Sequence, residues 1–268
     1  MSRADRSFVE RFGPWALVTG ASSGIGEHLA RALAARGLNV VITARRASLL
    51  EALAAELRRA HGVEIAVVAL DLAQPDFITP LREACADKDV GLVISNAGFG
   101  LKGEHATLDA AQLVAMLNVN CAAPMLLAHA FAPTLAARGR GGFVITGSIE
   151  GFLGFPWSAA YAATKAFVLV FGQGLWGELE RRGVDVLVVA PGATDTDAPV
   201  LQGIDKAALK GVMSPRDVAE QTLAKIGAGP LFVPGWTNRA LVSLLTALPM
   251  RVALRAAGKG IRDALAQH

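Results

Sequence analysis

Tyr161 is the single tyrosine in 268 residues, and Lys165 follows it four positions later in the stretch GSIEGFLGFPWSAAYAATK, Gly147 to Lys165. Four residues make about one helical turn, so on a helix the phenol and the ammonium share a face. An unperturbed tyrosine titrates near pH ~10 and is a poor acid or base at neutral pH. A neighbouring ammonium favours the phenolate and lowers that value, which suits the pair to moving a proton at a carbonyl. Ser148, thirteen residues before Tyr161, offers a hydroxyl to hold the reacting oxygen. By itself a Y-x-x-x-K spacing is equally an exposed helical pair, so the surrounding elements must decide.

The first of those elements is a glycine-rich turn. The apolar run Ala16-Leu17-Val18 passes directly into Thr19-Gly20-Ala21-Ser22-Ser23-Gly24-Ile25-Gly26, and a helical pattern then runs to Gly37, a plausible C-cap. Strand, glycine turn and helix together present backbone N–H groups and a positive helix end to phosphate. The spacing is GxxxGxG rather than GxGxxG, and its context favours nucleotide binding over a mere tight turn.

The next strand, Asn39 to Thr43, ends in Thr43-Ala44-Arg45-Arg46, and the first acid after it is Glu51. Folds that bind NAD usually place an acid about 20 residues beyond the glycines, on the ribose 2′-hydroxyl. A carboxylate there would repel a 2′-phosphate, whereas a guanidinium binds one in a fork. The reading is NADP(H) in preference to NAD(H); the alternative is that Arg45 and Arg46 simply start a solvated helix.

Further along, Leu50 to Ala60 reads as helix and Glu64 to Leu70 as strand. Asp71-Leu72 stands at that strand's C-terminal end, where open parallel sheets bind ligands. Asp71 is there either to contact adenine or to serve as a turn acid. Strand Leu92 to Ser95 leads into Asn96-Ala97-Gly98, whose small residues permit close approach to a ribose. Leu108 to Ala137 is a long helical stretch carrying Asn118-Val119-Asn120, and a polar group in so apolar a helix needs a partner or a task. Strand Phe143 to Thr146 runs into Ser148. The helix carrying Tyr161 and Lys165 extends to about Arg182, with Gly183 as its cap. Strand Val184 to Ala190 is followed by Pro191-Gly192-Ala193-Thr194-Asp195-Thr196. A helix then starts with Ser214 as N-cap and Pro215 at its first position, and Leu231 to Val233 is a final strand.

Strands therefore alternate with helices, which predicts an α/β, Rossmann-type, doubly wound parallel sheet of about seven strands flanked by helices. No linker divides the chain, so residues 1–268 read as one domain, with a core of about 14–234 and a helical extension over 235–268. Composition agrees: 53% hydrophobic residues can supply a large core, and a net charge of +3 with no dense basic run argues against nucleic acid. Cys85 and Cys121 lack CxxC spacing and read as buried, reduced thiols of a cytoplasmic protein. The five histidines show no metal-ligand spacing. The N-terminus has no apolar core of a signal peptide, and no run of 18 uninterrupted apolar residues predicts a spanning helix.

The tail, Asn238 to Gln267, is apolar with Arg251, Arg255, Lys259 and Arg262 at near-helical spacing. Either it is a basic amphipathic helix on an anionic membrane surface, or a helix packed over the substrate opening or a partner subunit. Pro249, Gly258 and Gly260 are expected to interrupt the helix, which favours packing.

Taken together these motifs resemble the short-chain dehydrogenase/reductase family in its compact single-domain branch, over roughly residues 14 to 234. The resemblance rests on Thr19-Gly20…Gly24…Gly26, Asn96-Ala97-Gly98, Asn120, Ser148, Tyr161…Lys165 and Pro191-Gly192. It implies that Tyr161 is the general acid for carbonyl reduction and the base in reverse. Lys165 would hold the nicotinamide ribose and lower the Tyr161 pKa, Ser148 would orient the substrate oxygen, and Asn120 would fix a relay water. Thr194, Thr196 and the backbone at Pro191 and Gly192 would hold the nicotinamide end. The glycine loop from Gly20 through Ser22, Ser23, Gly24, Ile25 and Gly26, with Arg45, Asp71 and Leu72, would hold the adenosine phosphate end. The implied activity is NADPH-dependent interconversion of a carbonyl and an alcohol on an apolar small molecule. The alternatives are a membrane-surface reductase of lipid or acyl substrates and a catalytically idle NADP-binding scaffold.

Some positions depart from the family pattern. Ser23 stands where many NADP-preferring members have Lys or Arg, Ser95 replaces the first Asn of NNAG, and Glu150 occupies a position that is usually small. Glu150 is expected either to face the substrate or to form a salt bridge. Pocket residues are expected in Phe99-Gly100, Glu150 to Trp157 and Asp195 to Val212, with Phe152, Leu153, Phe155 and Trp157 as an apolar wall or as core. The resemblance also implies a homodimer or homotetramer paired through the helices around 108–137 and 158–182.

Overall fold

The computed structural model describes residues 3–205, 207, 209 and 211–265. The expected pocket loop 195–212 includes Lys206, Ala208 and Lys210, and the expected tail includes Ala266 and Gln267; these lie outside the described residues.

The segment that reads as a polar lead-in is a helix, α1 (Arg3–Phe12). Its two aromatics, Phe8 and Phe12, are one turn apart with ring centroids 4.7 Å from each other, and Phe12 is buried. Phe8, Val9 and Phe12 form an apolar stripe at helical spacing, and docking that stripe on the sheet fixes the helix. Then follow β1 (Trp15–Thr19), α2 (Gly24–Ala35), β2 (Asn39–Ala44), α3 (Ala47–His61) and β3 (Ile65–Ala69). The sequence pattern marks no helix between β3 and the next strand, but α4 (Ile78–Ala84) lies there before β4 (Val90–Ser95).

The expected single helix over 108–137 is α5 (Ala110–Leu117) and α6 (Ala123–Arg138), joined by a π turn at Asn118–Ala122. Pro124 has no N–H to give the ladder, and the Ala123 N–H reaches back five residues to the Asn118 carbonyl. A π turn inside an α-helix is frequently a functional feature, and here it carries Asn120. The run 110–138 is also long and apolar enough to cross a membrane by length and composition, contrary to the expectation from uninterrupted runs. In this fold Met116, Leu127, Phe131 and Leu135 are buried within the protein.

The remaining elements are β5 (Gly141–Thr146), α7 (Ala159–Leu179), β6 (Val184–Val189), α8 (Ala198–Leu201), α9 (Pro215–Lys225), β7 (Leu231–Phe232), α10 (Trp236–Ala247) and α11 (Met250–Leu265). Among the described residues the strands form one seven-stranded sheet, all neighbours parallel, in the order β3-β2-β1-β4-β5-β6-β7.

Residues alternate across this sheet, as the pleat requires. Leu17, Val41, Val93, Phe143, Ile145 and Val188 face one layer, with Leu127 and Phe131 of α6 and Val168 and Leu175 of α7. Val18, Ile42, Leu92, Ile94 and Val144 face the other, with Leu29 and Leu33 of α2, Leu53 and Leu57 of α3, and Leu223 of α9. The order of strands reverses between β1 and β4, and the crevice at that switch point is where such sheets bind ligands.

The tail folds back onto the body. Ala257 joins Phe155 and Ala162 in a small core, with Leu153, Leu245 and Ile261 packed against it. Of the expected interruptions only Pro249 breaks the helix; Gly258 and Gly260 lie inside α11. A Cβ on Gly258 would stand 2.8 Å from Pro156 Cβ, so glycine is what lets the helix lie this close. The apolar side of α11, Ala253, Ala257 and Ala264, is buried in the protein, whereas Arg251, Arg255, Lys259 and Arg262 are exposed. Other apolar side chains of the tail, Trp236 and Leu244 of α10 and Met250 and Val252 of α11, remain exposed.

Candidate active site

The C-terminal ends of β1, β4 and β5 are tied together by one side chain. Asn96 Nδ2 donates to the Thr19 carbonyl at 3.1 Å, and Thr146 Oγ1 donates to Asn96 Oδ1 at 3.2 Å. Thr19 Oγ1 in turn accepts from the Asn96 and Ala97 N–H groups at 3.0 Å each. Asn96 thereby acts as a clamp rather than as a free ligand group.

On one side of this clamp lies the glycine turn. Gly20 and Gly24 have φ of +70° and +60°, the left-handed region that favours glycine. A Cβ on Gly26 would stand 2.5 Å from Asn96 Nδ2, and one on Gly24 would stand 3.0 Å from Thr196 Cγ2. The loop after β6 therefore closes onto the glycine turn, bringing Gly24 and Thr196 together. Ile25, by contrast, packs its side chain toward the core.

Arg46, not Arg45, lies across this turn. Its Nη2 donates to Ser23 Oγ at 2.6 Å and to Ser22 Oγ at 2.9 Å, and its Nε donates to Ser22 Oγ at 3.1 Å. Arg45 is exposed and makes no hydrogen bond among the described residues. Asp71 Oδ1 accepts from the Ala73 N–H at 3.0 Å, the turn-acid role, and the Leu72 side chain is in the core.

On the other side of the clamp stand Ser148, Tyr161 and Lys165. Ser148 leaves β5 as the N-cap of a 3₁₀ turn over Ile149–Phe152, its Oγ accepting from the Glu150 N–H at 3.2 Å. The turn is held to the following loop by the Ile149 N–H, which donates to the Pro191 carbonyl at 3.0 Å. Ser158 starts α7, which places Tyr161 and Lys165 one turn apart as the spacing predicts. Tyr161 is half-buried, and its phenol is hydrogen-bonded to the Ser148 side chain.

Lys165 is 4% exposed, donates to the Thr146 carbonyl at 2.9 Å, and lies 5.6 Å from the Tyr161 ring centroid. Burial pushes its ammonium down to about 8. The expected lowering of the phenol is reversed here: burial and the negative charge of Glu150 push Tyr161 up, and the Ser148 hydrogen bond opposes them only in part. The spacing predicts the geometry correctly but cannot weigh desolvation against one lysine charge.

Asn120 spends its side chain on the protein. Oδ1 accepts from the Phe99 N–H at 3.1 Å, and Nδ2 donates to the Phe99 carbonyl at 2.8 Å and to Thr164 Oγ1 at 3.0 Å. Both Nδ2 hydrogens are thereby used within the protein, and Oδ1 keeps one accepting position. Asn120 instead locks the segment after Gly98 to α7. Gly98 faces this lock: a Cβ there would stand 3.3 Å from Lys165 Nζ.

Glu150, for which the sequence allows substrate contact or a salt bridge, forms a salt bridge. Lys102 Nζ donates to Glu150 Oε2 and Oε1 at 2.6 and 2.7 Å and to Ser158 Oγ at 2.6 Å. The Lys102 side chain is 1% exposed and sits 4.7 Å from the Tyr161 ring centroid. Lys102 and Ser158 have no signal in the sequence, because their role depends on a contact across 48 and 56 positions.

Of the four expected wall residues, Phe155 and Leu153 pack with the tail and Phe152 packs on the main core. Trp157 has φ +66°, a left-handed conformation unusual for a bulky residue; its carbonyl accepts from the Gly103 N–H at 2.8 Å. Gln202, at the end of α8 and within the expected pocket loop 195–212, joins the site. It reaches Gly100, where a Cβ would stand 3.1 Å from the Gln202 amide and 3.0 Å from Tyr161 Cδ2. Beside it Thr194, Asp195, Ala207, Leu209 and Val212 line a cavity of about 340 Å³. Among the described residues no group of His, Cys, Asp and Glu has a metal-binding arrangement.

A family model described as short chain dehydrogenase matches residues 14–203. The 7beta-hydroxysteroid dehydrogenase of Clostridium sardiniense is 32% identical over 234 residues, 87% of this chain and 90% of that protein. A solved structure from a study of 7beta-hydroxysteroid dehydrogenase stereoselectivity aligns with a TM-score of 0.87 at 29% identity, covering 93% of this chain and 98% of that one. A short-chain dehydrogenase from Sphingobium yanoikuyae in complex with NADPH aligns with a TM-score of 0.79 at 32% identity, covering 88% and 97%.

Proposed function

This chain belongs to the short-chain dehydrogenase family, and from that premise we propose that it interconverts a ketone and a secondary alcohol on a bulky, largely apolar molecule of the hydroxysteroid class, with NADP(H) as coenzyme. The observation that carries the reading is the convergence of Ser148, Tyr161 and Lys165 beside the Asn96 clamp, across the sheet's switch point from the glycine turn. Similarity to 7beta-hydroxysteroid dehydrogenases supports the substrate class.

The glycine turn fits a dinucleotide phosphate. Side chains at Gly20, Gly24 and Gly26 would fill the cradle against Ala97, Thr196 and Asn96, and the start of α2 offers its N–H groups and positive end to an anion. Arg46, Ser22 and Ser23, with Arg45 beside them, would hold a 2′-phosphate. The charge and fork geometry of Arg46 favour NADP(H), as does likeness to a chain solved with NADPH. Bound NADPH supplies the hydride.

The chain's own residues handle the proton. Ser148 orients the substrate oxygen and Tyr161 gives that oxygen its proton in reduction, or takes it back in oxidation. Lys165, anchored on the Thr146 carbonyl, places a cation beside the phenol and reaches toward the ribose hydroxyls. Thr194, Thr196, Pro191 and Gly192 border the nicotinamide end. Homodimerisation belongs to the same reading: Val114 and Leu117 of α5 and Phe167 and Val170 of α7 are exposed apolar side chains on helices that touch one another.

The test is to titrate NADPH and NADH into the protein, then assay reduction of a panel of ketosteroids and bulky aryl ketones with wild type and Tyr161→Phe. Turnover lost in Tyr161→Phe with coenzyme binding retained supports the reading. Coenzyme binding without turnover on any member would make the chain a nucleotide-binding scaffold, and no coenzyme binding would overturn the site assignment itself.

A further inference from the structure

Lys102 and Glu150 form an ion pair with little access to water, yet neither charge is used by the proton transfer described above. Taking both charges out of water is costly, and such a pair is often no more stabilising than apolar residues of the same volume. Its position argues for a task other than stability. Lys102 comes from the segment after β4, Glu150 from the 3₁₀ turn after Ser148, and Ser158 from the start of α7. All three lie next to Tyr161, the last on its own helix. The cluster is closed: Lys102 Nζ donates to both Glu150 oxygens and to Ser158 Oγ, and Ser158 Oγ is 2.5 Å from Glu150 Oε2. No donor of Lys102 is left over to bind substrate.

The cation stands over the face of the Tyr161 ring, 4.7 Å from its centroid, a favourable cation–π arrangement. Glu150 is two residues from Ser148, which hydrogen-bonds the phenol, and its N–H is bonded to Ser148 Oγ. The other groups facing Tyr161 are few. Lys165 is on its own helix, Gly100 and Gln202 are neutral, and Cys121 lies beside Lys165 and is held as the thiol, burial pushing it up to about 11. Glu150 is therefore the one carboxylate among the described residues that bears on the phenol.

We propose that the Lys102–Glu150–Ser158 cluster is a positioning device for Tyr161, in which Lys102 fixes the ring by its face and Glu150, held by Lys102 and Ser158 beside the Ser148 turn, sets the charge that the phenol faces. The catalytic consequence rests on Tyr161 being the proton donor of the proposed reductase: Glu150 favours the loaded donor, and Lys102 opposes it while holding the ring. Lys102 and Glu150 act through Tyr161 and touch no reacting atom.

Because Tyr161 is the chain's only tyrosine, the tyrosinate band in ultraviolet difference spectra reads this one phenol directly, without substrate, coenzyme or turnover. The proposal is tested by titrating wild type, Glu150→Gln and Lys102→Met with this band, each checked for folding by circular dichroism. Glu150→Gln keeps shape and the Ser158 hydrogen bond but removes the negative charge, so tyrosinate should appear about one pH unit or more earlier than in wild type. Lys102→Met removes the cation from the ring face and should move the band later.

A purely structural pair would change thermal stability without opposed shifts. Glu150→Gln titrating no earlier than wild type, including no tyrosinate in either before unfolding, overturns the proposal, and Glu150→Gln alone decides it if Lys102→Met does not fold. If the opposed shifts appear but Tyr161→Phe retains turnover, the cluster's effect on the phenol stands and the reductase reading fails instead.

Discussion

The guanidinium of Arg46 is hydrogen-bonded to Ser22 Oγ through two of its nitrogens, at 2.9 and 3.1 Å. This contact joins the end of β2 to the glycine turn and presents a fixed cation at the proposed 2′-phosphate site. Charge-assisted hydrogen bonds contribute about 1.5–3 kcal/mol. Arg46→Ala is expected to weaken NADPH binding about tenfold or more and to leave NADH nearly unchanged, measured by fluorescence titration. Arg45→Ala should do the same to the extent that Arg45 swings onto the phosphate. An equal loss for both coenzymes would mean Arg46 only braces the loop.

Tyr161→Phe removes the proposed proton donor and preserves the ring that Lys102 and Gly100 pack against. General acid catalysis is worth about 10²–10⁴-fold. The variant is expected to lose that much kcat in steady-state reduction with its coenzyme affinity intact. Ser148→Ala should lose kcat too, since the phenol also loses its hydrogen bond.

Lys165 links function to stability. Its pKa falls from 10.5 in the unfolded chain to about 8 in the fold, so between those values the unfolded chain holds the proton and the folded protein does not. As pH rises through this window the cost of burying the ammonium is relieved and stability increases; below about 8 the full cost, about 3 kcal/mol, is present. Lys165→Met is therefore expected to be more stable than wild type at neutral pH and to lose this advantage by about pH 10, read by urea melts at both pH values. Its turnover should nonetheless collapse.

Gly258 controls how closely α11 lies on the pocket segment. Gly258→Val would drive its side chain into Pro156, whose ring is 2.8 Å from even a Cβ. Overpacking of this kind costs about 1–3 kcal/mol. Faster hydrogen exchange in residues 250–265, with the sheet unaffected, is the expected outcome; unchanged exchange there would mean that the helix accommodates the bulk.

Val170 is 72% exposed on α7. Val170→Glu places a charge in the proposed subunit contact, where an unpaired buried carboxylate is costly. Sedimentation velocity should show the wild-type oligomer dissociating in the variant, whereas equal sizes would place the interface elsewhere.

Much of this site is legible in the chain because it depends on local geometry. Gly20, Gly24 and Gly26 mark a turn that only glycine can make between a strand and a helix, and Tyr161 and Lys165 share a helix face by a spacing of four. Ser214 and Pro215 start α9 as their types require, Ser214 Oγ accepting from the Asp217 N–H at 3.0 Å. Alternating apolar strands and helical stripes predict the parallel sheet. The short helix α4 leaves no such mark, and the apolar stripe of α1, Phe8, Val9 and Phe12, passes for a polar lead-in until the sheet it packs on is known.

The tertiary structure decided what depends on neighbours distant in sequence. It assigned the reach across the glycine turn to Arg46 although Arg45 is equally basic, because only the chain's direction on leaving β2 separates them. It turned Asn120 inward onto Phe99 and Thr164, and it gave Glu150 a buried partner in Lys102. It also reversed the expected effect on the phenol. A motif specifies which charges are near each other along a helix, but the proton affinity of Tyr161 is set by how much water the fold removes and by a carboxylate eleven residues away in the chain. Desolvation and long-range charge are properties of the assembled interior, and no spacing in the sequence encodes their balance.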